Sequence, residues 1–196
     1  MRDTFSLRPK SKHGDDYETP RAFFALCSRI FGPFDLDVCA RPETAKCERY
    51  YTAEDSCLHR DWQCRAAWCN PPYSENLISQ IVPHAADQAQ AGHCHVLALF
   101  PAKKSEYQWY ADAVAMRASL VMPVRGRIAF LLRGRVMKQP NHASVLVWWR
   151  SGWAGPTFVC PFNNDIGLPL VCMHKMVEIG VLERVPPERD VRGALL

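Results

Sequence analysis

No run of 18 consecutive apolar residues occurs in this 196-residue chain, and no apolar core follows the opening Met1-Arg2-Asp3-Thr4. Neither a membrane-crossing helix nor a secretory leader is expected, so the sequence reads as soluble and cytoplasmic. No Cys-x-x-Cys pair occurs among its nine cysteines. Their number is odd, and Cys27, Cys39, Cys69, Cys160 and Cys172 sit inside apolar runs. They read as small buried hydrophobes rather than a disulfide frame. No glycine lies between Pro33 and Ala91, so the first half holds no glycine-rich phosphate cradle, which a ligand without phosphates does not need. Histidines at 59, 84 and 142 are scattered, and no Ser/His/Asp set can be assembled around them.

Metal ligation is not expected either. Cys57, His59, Cys64 and Cys69 cluster in sequence, but their spacing matches no common zinc module, and Cys69 falls within an apolar strand. His93 and His95 share one strand face without a third ligand. No internal repeat or low-complexity segment is present.

Acidic residues are missing from a long interior block. Residues 113–164 contain Arg117, Arg125, Arg127, Arg133, Arg135, Lys138 and Arg150 and no Asp or Glu, whereas the whole chain carries a net charge of +4. A basic block inside an otherwise nearly neutral chain fits a polyanion footprint. Arg125, Arg127, Arg133, Arg135 and Lys138 are the candidate nucleic-acid contacts.

The apolar periodicity predicts an α/β order. After a loose arm over 1–16, Thr19 is expected to cap a helix with Pro20 in its first turn, with Phe23, Leu26, Cys27, Ile30 and Phe31 as the apolar stripe and Gly32-Pro33 as the stop. Strands are expected over 34–40, 49–52, 66–69, 94–100, 120–124, 128–132 and 145–149. Helices are expected over 77–91 and 105–116, with a last one over 171–179. The continuous apolar run at 94–100 marks a strand covered on both faces. The division expected is an arm (1–16), a catalytic domain (17–150) and a C-terminal extension packed on it (151–196).

Asn70-Pro71-Pro72-Tyr73 follows directly on the apolar run Ala66-Ala67-Trp68-Cys69. The Asn side-chain oxygen and the Pro71 carbonyl can each accept one hydrogen of an exocyclic amine, and neither proline offers a competing N–H. Tyr73 offers a face on which an extruded base could stack. Such a tetrapeptide arises by chance on the order of once in fifty chains, so its context matters.

That context resembles the amino-methyltransferases that use S-adenosylmethionine, and within them the small phage-type adenine-specific DNA methyltransferases of the Dam group. Seven segments occur in the family's order: Tyr17-Glu18-Thr19-Pro20, residues 34–40, Ala45-Lys46-Cys47 with Arg49-Tyr50-Tyr51, Glu54-Asp55, Asp61-Trp62, residues 68–74, and Arg125-Gly126-Arg127-Ile128. The resemblance implies a Rossmann-like class I methyltransferase, a mostly parallel doubly wound sheet with a closing antiparallel strand pair. It implies methyl transfer from S-adenosylmethionine to adenine N-6 in DNA, without metal, by a monomer or weak dimer in a bacterial or phage-infected cell. Asn70, Pro71, Pro72 and Tyr73 become the catalytic residues, and Thr19, Pro20, Asp35, Asp37, Cys39, Asp55 and Asn70 the cofactor contacts, with Asp37 foremost. Cytosine N-4 is chemically possible too; the resemblance favours adenine. A protein-glutamine amide methyltransferase and an inactive DNA-binding module of the same fold are the alternatives.

Overall fold

A computed structural model of the chain describes residues 15–137 and 142–183. Its centre is a mostly parallel sheet. In spatial order it runs β10 (Phe158–Val159), β6 (Leu120–Arg125), β9 (Ser144–Trp149), β5 (His95–Pro101), β4 (Ala66–Cys69), β2 (Leu36–Asp37) and β3 (Arg49–Tyr50). Strands β3, β2, β4 and β5 pair parallel. Only β9 is reversed, pairing antiparallel with both β5 and β6. The C-terminal segment extends the far edge: β10 and β11 (Phe162–Asn163) both pair parallel with β6.

Alternation along the strands divides the core into two layers. Trp68, Leu97, Leu99, Leu120, Met122, Leu146 and Trp148 face one side, where α1 (Arg21–Phe31) and α4 (Leu170–Glu178) pack. Ala67, Cys69, Val96, Ala98, Phe100, Val145 and Val147 face the other, against α2 (Glu75–Gln90). Helix α1 follows from its spacing. Phe23, Leu26, Cys27, Ile30 and Phe31 recur at i, i+3, i+4, i+7 and i+8 and are all buried. Each large apolar side chain so buried contributes about 1.5–3 kcal/mol.

Three local expectations change. Thr19 does not cap α1: the helix begins at Arg21 after Pro20, without a side-chain cap, and the buried Thr19 hydroxyl has no partner among the described residues. The helix expected over 105–116 is broken. A 3₁₀ stretch (Ala102–Glu106) gives way at extended Tyr107 to a short α3 (Gln108–Tyr110) and a π turn (Ala111–Ala115). The break lets Trp109 and Tyr110 both pack on Phe100, and the Ala113 carbonyl accepts the indole N–H of Trp149 at 2.9 Å. The strand expected over 128–132 shrinks to β7 (Leu131–Leu132), which leaves the main sheet. With β8 (Arg135–Val136) and β1 (Tyr17–Glu18) it forms a small separate sheet ordered β1-β7-β8.

Candidate active site

Asn70 stands at the carboxyl end of β4, whose four residues are all buried. The two prolines that follow hold the exit rigid until α2 begins after Ser74. The Asn70 amide nitrogen donates to the main-chain carbonyl of Tyr17 at 3.0 Å. The Tyr73 hydroxyl donates to the Asn70 side-chain oxygen, also at 3.0 Å. Burial pushes the Tyr73 phenol well above its ordinary range, so it remains a donor. Its ring is edge-on to Tyr17 and Phe130, with centroids 6.1 and 6.3 Å away. The ring is thus seated edge-on between Tyr17 and Phe130, and its hydroxyl is taken up by Asn70.

Beside this exit lies a cleft of about 550 Å³. Its walls are the segments that leave the carboxyl ends of β2 (38–44), β3 (52–58) and β4 (Asn70, Pro72), together with Leu77 and Ile81 of α2. This is where ligands bind in open α/β sheets, because the chain turns away from the sheet there. Residues Asp15 to Glu18 form the remaining wall. Asp15 and Asp16, assigned by sequence to the loose arm, are tied down. Asp15 accepts the Ser74 main-chain N–H at 2.7 Å. Arg41 pairs with Asp16, Glu18 and Glu43 at 3.0–3.2 Å and so joins β1 to the loop after β2.

The expected cofactor residues divide. Asn70 and Cys39 line the cleft. Asp37 lies beneath its wall, 3% exposed, and its two oxygens accept the main-chain N–H groups of Cys39 (3.3 Å) and Lys46 (3.0 Å). Burial raises its pKa to about 6, against the lowering effect of those bonds. Asp37 thus shapes the loop rather than facing the cleft. Asp35 is not on that side at all: it precedes β2 and accepts the N–H groups of Ala66 and Arg65. Asp55 turns its carboxylate to Thr52 and Arg60, whereas its neighbour Glu54 lines the cleft. Thr19 and Pro20 sit outside the lining, at the start of α1. Sequence reasoning missed Tyr17, Glu18, Arg41 and Glu54. For Glu54 the available signal was its place just past β3, in the segment that leaves the carboxyl end of that strand.

Cys39 also contacts Cys57, whose thiol is pushed well up by that hydrogen bond and by burial. Among the described residues no group of three His, Cys, Asp or Glu is arranged to hold an ion.

The basic block does not stay together. Arg125, at the end of β6, and Arg127 lie exposed on the Asn70 edge of the sheet. Arg133 and Arg135 project from the turn of the β7–β8 hairpin, where Arg133 (φ 52°) and Gly134 (φ 73°) both take positive φ, as a tight two-residue turn requires. None of these four is ion-paired among the described residues. Arg117 and Arg150 instead lie at the opposite edge, lining a small cavity of about 140 Å³, and Arg117 is paired with Asp87. Lys138 lies outside the described residues.

A cleft at the carboxyl edge of a mostly parallel sheet, walled by carboxylates and a stiff Asn-Pro-Pro-Tyr exit, is the arrangement that the resemblance to the amino-methyltransferases implies. The model of the DNA N-6-adenine-methyltransferase (Dam) family matches residues 7–179, and the chain belongs to that family. It is similar to the DNA N-6-adenine-methyltransferase of Haemophilus phage HP1, at 29% identity over 89% of this chain and 96% of that protein. It also resembles the DNA N-6-adenine-methyltransferase of Escherichia phage T1, at 33% identity over 55% of this chain and 44% of that protein. The YfdM protein of Escherichia coli strain K12 is 44% identical over 34% of this chain and 86% of its own length.

Proposed function

We propose that this DNA adenine methyltransferase binds S-adenosylmethionine in the cleft beside Asn70 and presents adenine N-6 to it from that residue. The observation that carries the reading is Asn70 itself, at the carboxyl end of β4, at the cleft wall, with its amide held in one orientation.

The cleft suits the cofactor. Its size lies within the range of about 300–1,000 Å³ usual for such ligands. Its apolar side (Val38, Pro72, Leu77, Ile81) matches a purine, and its carboxylates Asp15, Asp16, Glu18, Glu43 and Glu54 match hydroxyls and positive charge. We assign Glu54, past β3, to the ribose hydroxyls, and Glu18 to the cationic end. When bound, the cofactor supplies an electrophilic methyl group on a sulfonium. The protein's part is orientation and electrostatics. The Asn70 side-chain oxygen and the Pro71 carbonyl take the two amine hydrogens, which aims the nitrogen lone pair into the cleft. The same two oxygens favour positive charge growing on that nitrogen. No strong base is needed, because the amine becomes acidic once alkylated.

The strand order, with one reversed strand set between β5 and β6, supports a Rossmann-like class I arrangement. Arg125, Arg127, Arg133 and Arg135, exposed on the Asn70 edge, are proposed to hold DNA phosphates. Incubation of the protein with labelled S-adenosylmethionine and unmodified DNA, followed by nucleoside mass spectrometry, tests the reading. N-6-methyladenine is expected. N-4-methylcytosine as the main product, or activity abolished by EDTA, would overturn it.

A further inference from the structure

The contacts of Tyr17 exceed what a short edge strand needs for stability. Its main-chain carbonyl takes the Asn70 amide N–H at 3.0 Å. Its ring stacks on Phe130 at 5.7 Å, with planes 23° apart, and meets Tyr73 edge-on. One position in β1 thus touches both the acceptor residue and the aromatic residue of the exit. Strand β1 is in turn held by β7, with Tyr17 opposite Leu132 and Glu18 opposite Leu131, and β7 is one arm of the hairpin that carries Arg133 and Arg135.

The chemistry makes the carbonyl contact decisive. An amide presents an oxygen on one side and an NH₂ on the other, and the two ends are nearly the same size. A carbonyl can only accept, so Tyr17 must face the NH₂ end of Asn70. That leaves the oxygen on the opposite side, where it receives the Tyr73 hydroxyl. A carbonyl oxygen has two acceptor positions, and one remains for a target amine. If the amide flipped, Asn70 would offer N–H groups to the amine, donor against donor.

We propose that Tyr17 is a positioning residue for methyl transfer: its carbonyl sets the amide orientation of Asn70, its ring seats Tyr73, and the β1–β7 pairing ties both to the basic hairpin. This rests on the proposed role of Asn70. DNA held by Arg133 and Arg135 steadies β7, β7 steadies β1, and β1 keeps the acceptor turned towards the amine.

The test uses the full chain, with Tyr17→Ala, Tyr17→Phe and Tyr73→Ala made singly and Tyr17→Ala combined with Tyr73→Ala. Single-turnover transfer is followed at saturating cofactor, alongside the side-chain amide resonance of Asn70 in protein labelled with ¹⁵N-asparagine. Tyr17→Ala is expected to slow transfer by roughly 10- to 100-fold, the scale of a misplacement of about 1 Å. Tyr17→Phe should restore most of the rate, because the ring that anchors the main-chain carbonyl against Phe130 remains. In the Tyr73→Ala background the same change should cost much less, since residues acting as one unit are not additive. The Asn70 resonance should move in Tyr17→Ala. If Tyr17→Ala does not fold, Phe130→Leu takes its place, removing the stack from the other side with the same expected pattern. An unmoved Asn70 resonance, or a rate loss of equal size in the two backgrounds, would overturn the proposal. A wild-type protein that methylates no DNA would overturn the functional reading instead, and the resonance alone would then decide the role of Tyr17.

Discussion

Asn70, Tyr73 and Asp37 each use a polar group that burial makes consequential. Asn70→Ala removes the side-chain acceptor and leaves Tyr73 without its partner. Transfer should fall by at least about 10²-fold, the usual cost of losing one such group, while calorimetry still detects cofactor binding. Turnover within tenfold of wild type would sink the assignment. For Tyr73 the hydroxyl bond to Asn70 predicts graded damage. Tyr73→Phe should lose about 1 kcal/mol of transition-state stabilisation, one neutral hydrogen bond, whereas Tyr73→Ala should lose the aromatic contact as well, about 1–3 kcal/mol more. Asp37 makes a thermodynamic statement. Its pKa rises from 3.8 to about 6 on folding, so between those values the native state binds more protons than the unfolded chain. Stability from this group is therefore greatest at low pH and falls as pH rises from about 4 to about 6, by up to about 3 kcal/mol. Denaturant melts of Asp37→Asn should lack that part of the pH dependence; an unchanged profile would assign it elsewhere.

Among the elements, the β7–β8 hairpin carries the sharpest expectation. Arg133 and Arg135 flank its Gly134 turn and are exposed. If each contacts a phosphate, replacing both by alanine should flatten the log–log salt dependence of DNA affinity by about 1.8 units. Sequence preference should stay the same, since phosphates carry no base identity. A changed preference would mean that one of them reads a base edge. The broken helix between Ala102 and Ala115 shows how packing overrides propensity. Its residues are helix-competent, but the adjacent Trp109 and Tyr110 both pack on Phe100, and Tyr107 stacks on Trp109.

At the scale of the whole molecule, charge is sorted by sheet edge rather than by sequence. The carboxylates of the cleft and the exposed arginines 125, 127, 133 and 135 share the edge where Asn70 stands. Arg117 and Arg150, from the same acid-free block, lie at the other edge because one precedes β6 and the other ends the reversed strand β9. Replacing Arg117 and Arg150 by alanine should therefore leave the salt slope of DNA binding where it was. A slope reduced as much as by the hairpin pair would place the footprint across both edges.

Much of this was legible in the sequence because it depends on local pattern. The apolar periods of α1, α2, β4, β5 and β9, the stop at Gly32-Pro33 and the rigid exit after Cys69 follow from side-chain spacing and from what proline and glycine permit. So does the place of Asn70 at the exit of β4, while the role proposed for it rests on the family resemblance. What the sequence left open is which side chain faces which space. Asp35, Asp37, Glu54 and Asp55 are alike as letters. One is spent on the N–H groups of β4, one on the loop beneath the cleft, one on the Thr52 turn, and only Glu54 reaches the wall. Tyr17 and Asn70 lie 53 positions apart. No local pattern can report a hydrogen bond between them, because only the path of β1 over the cleft brings a main-chain carbonyl to that amide.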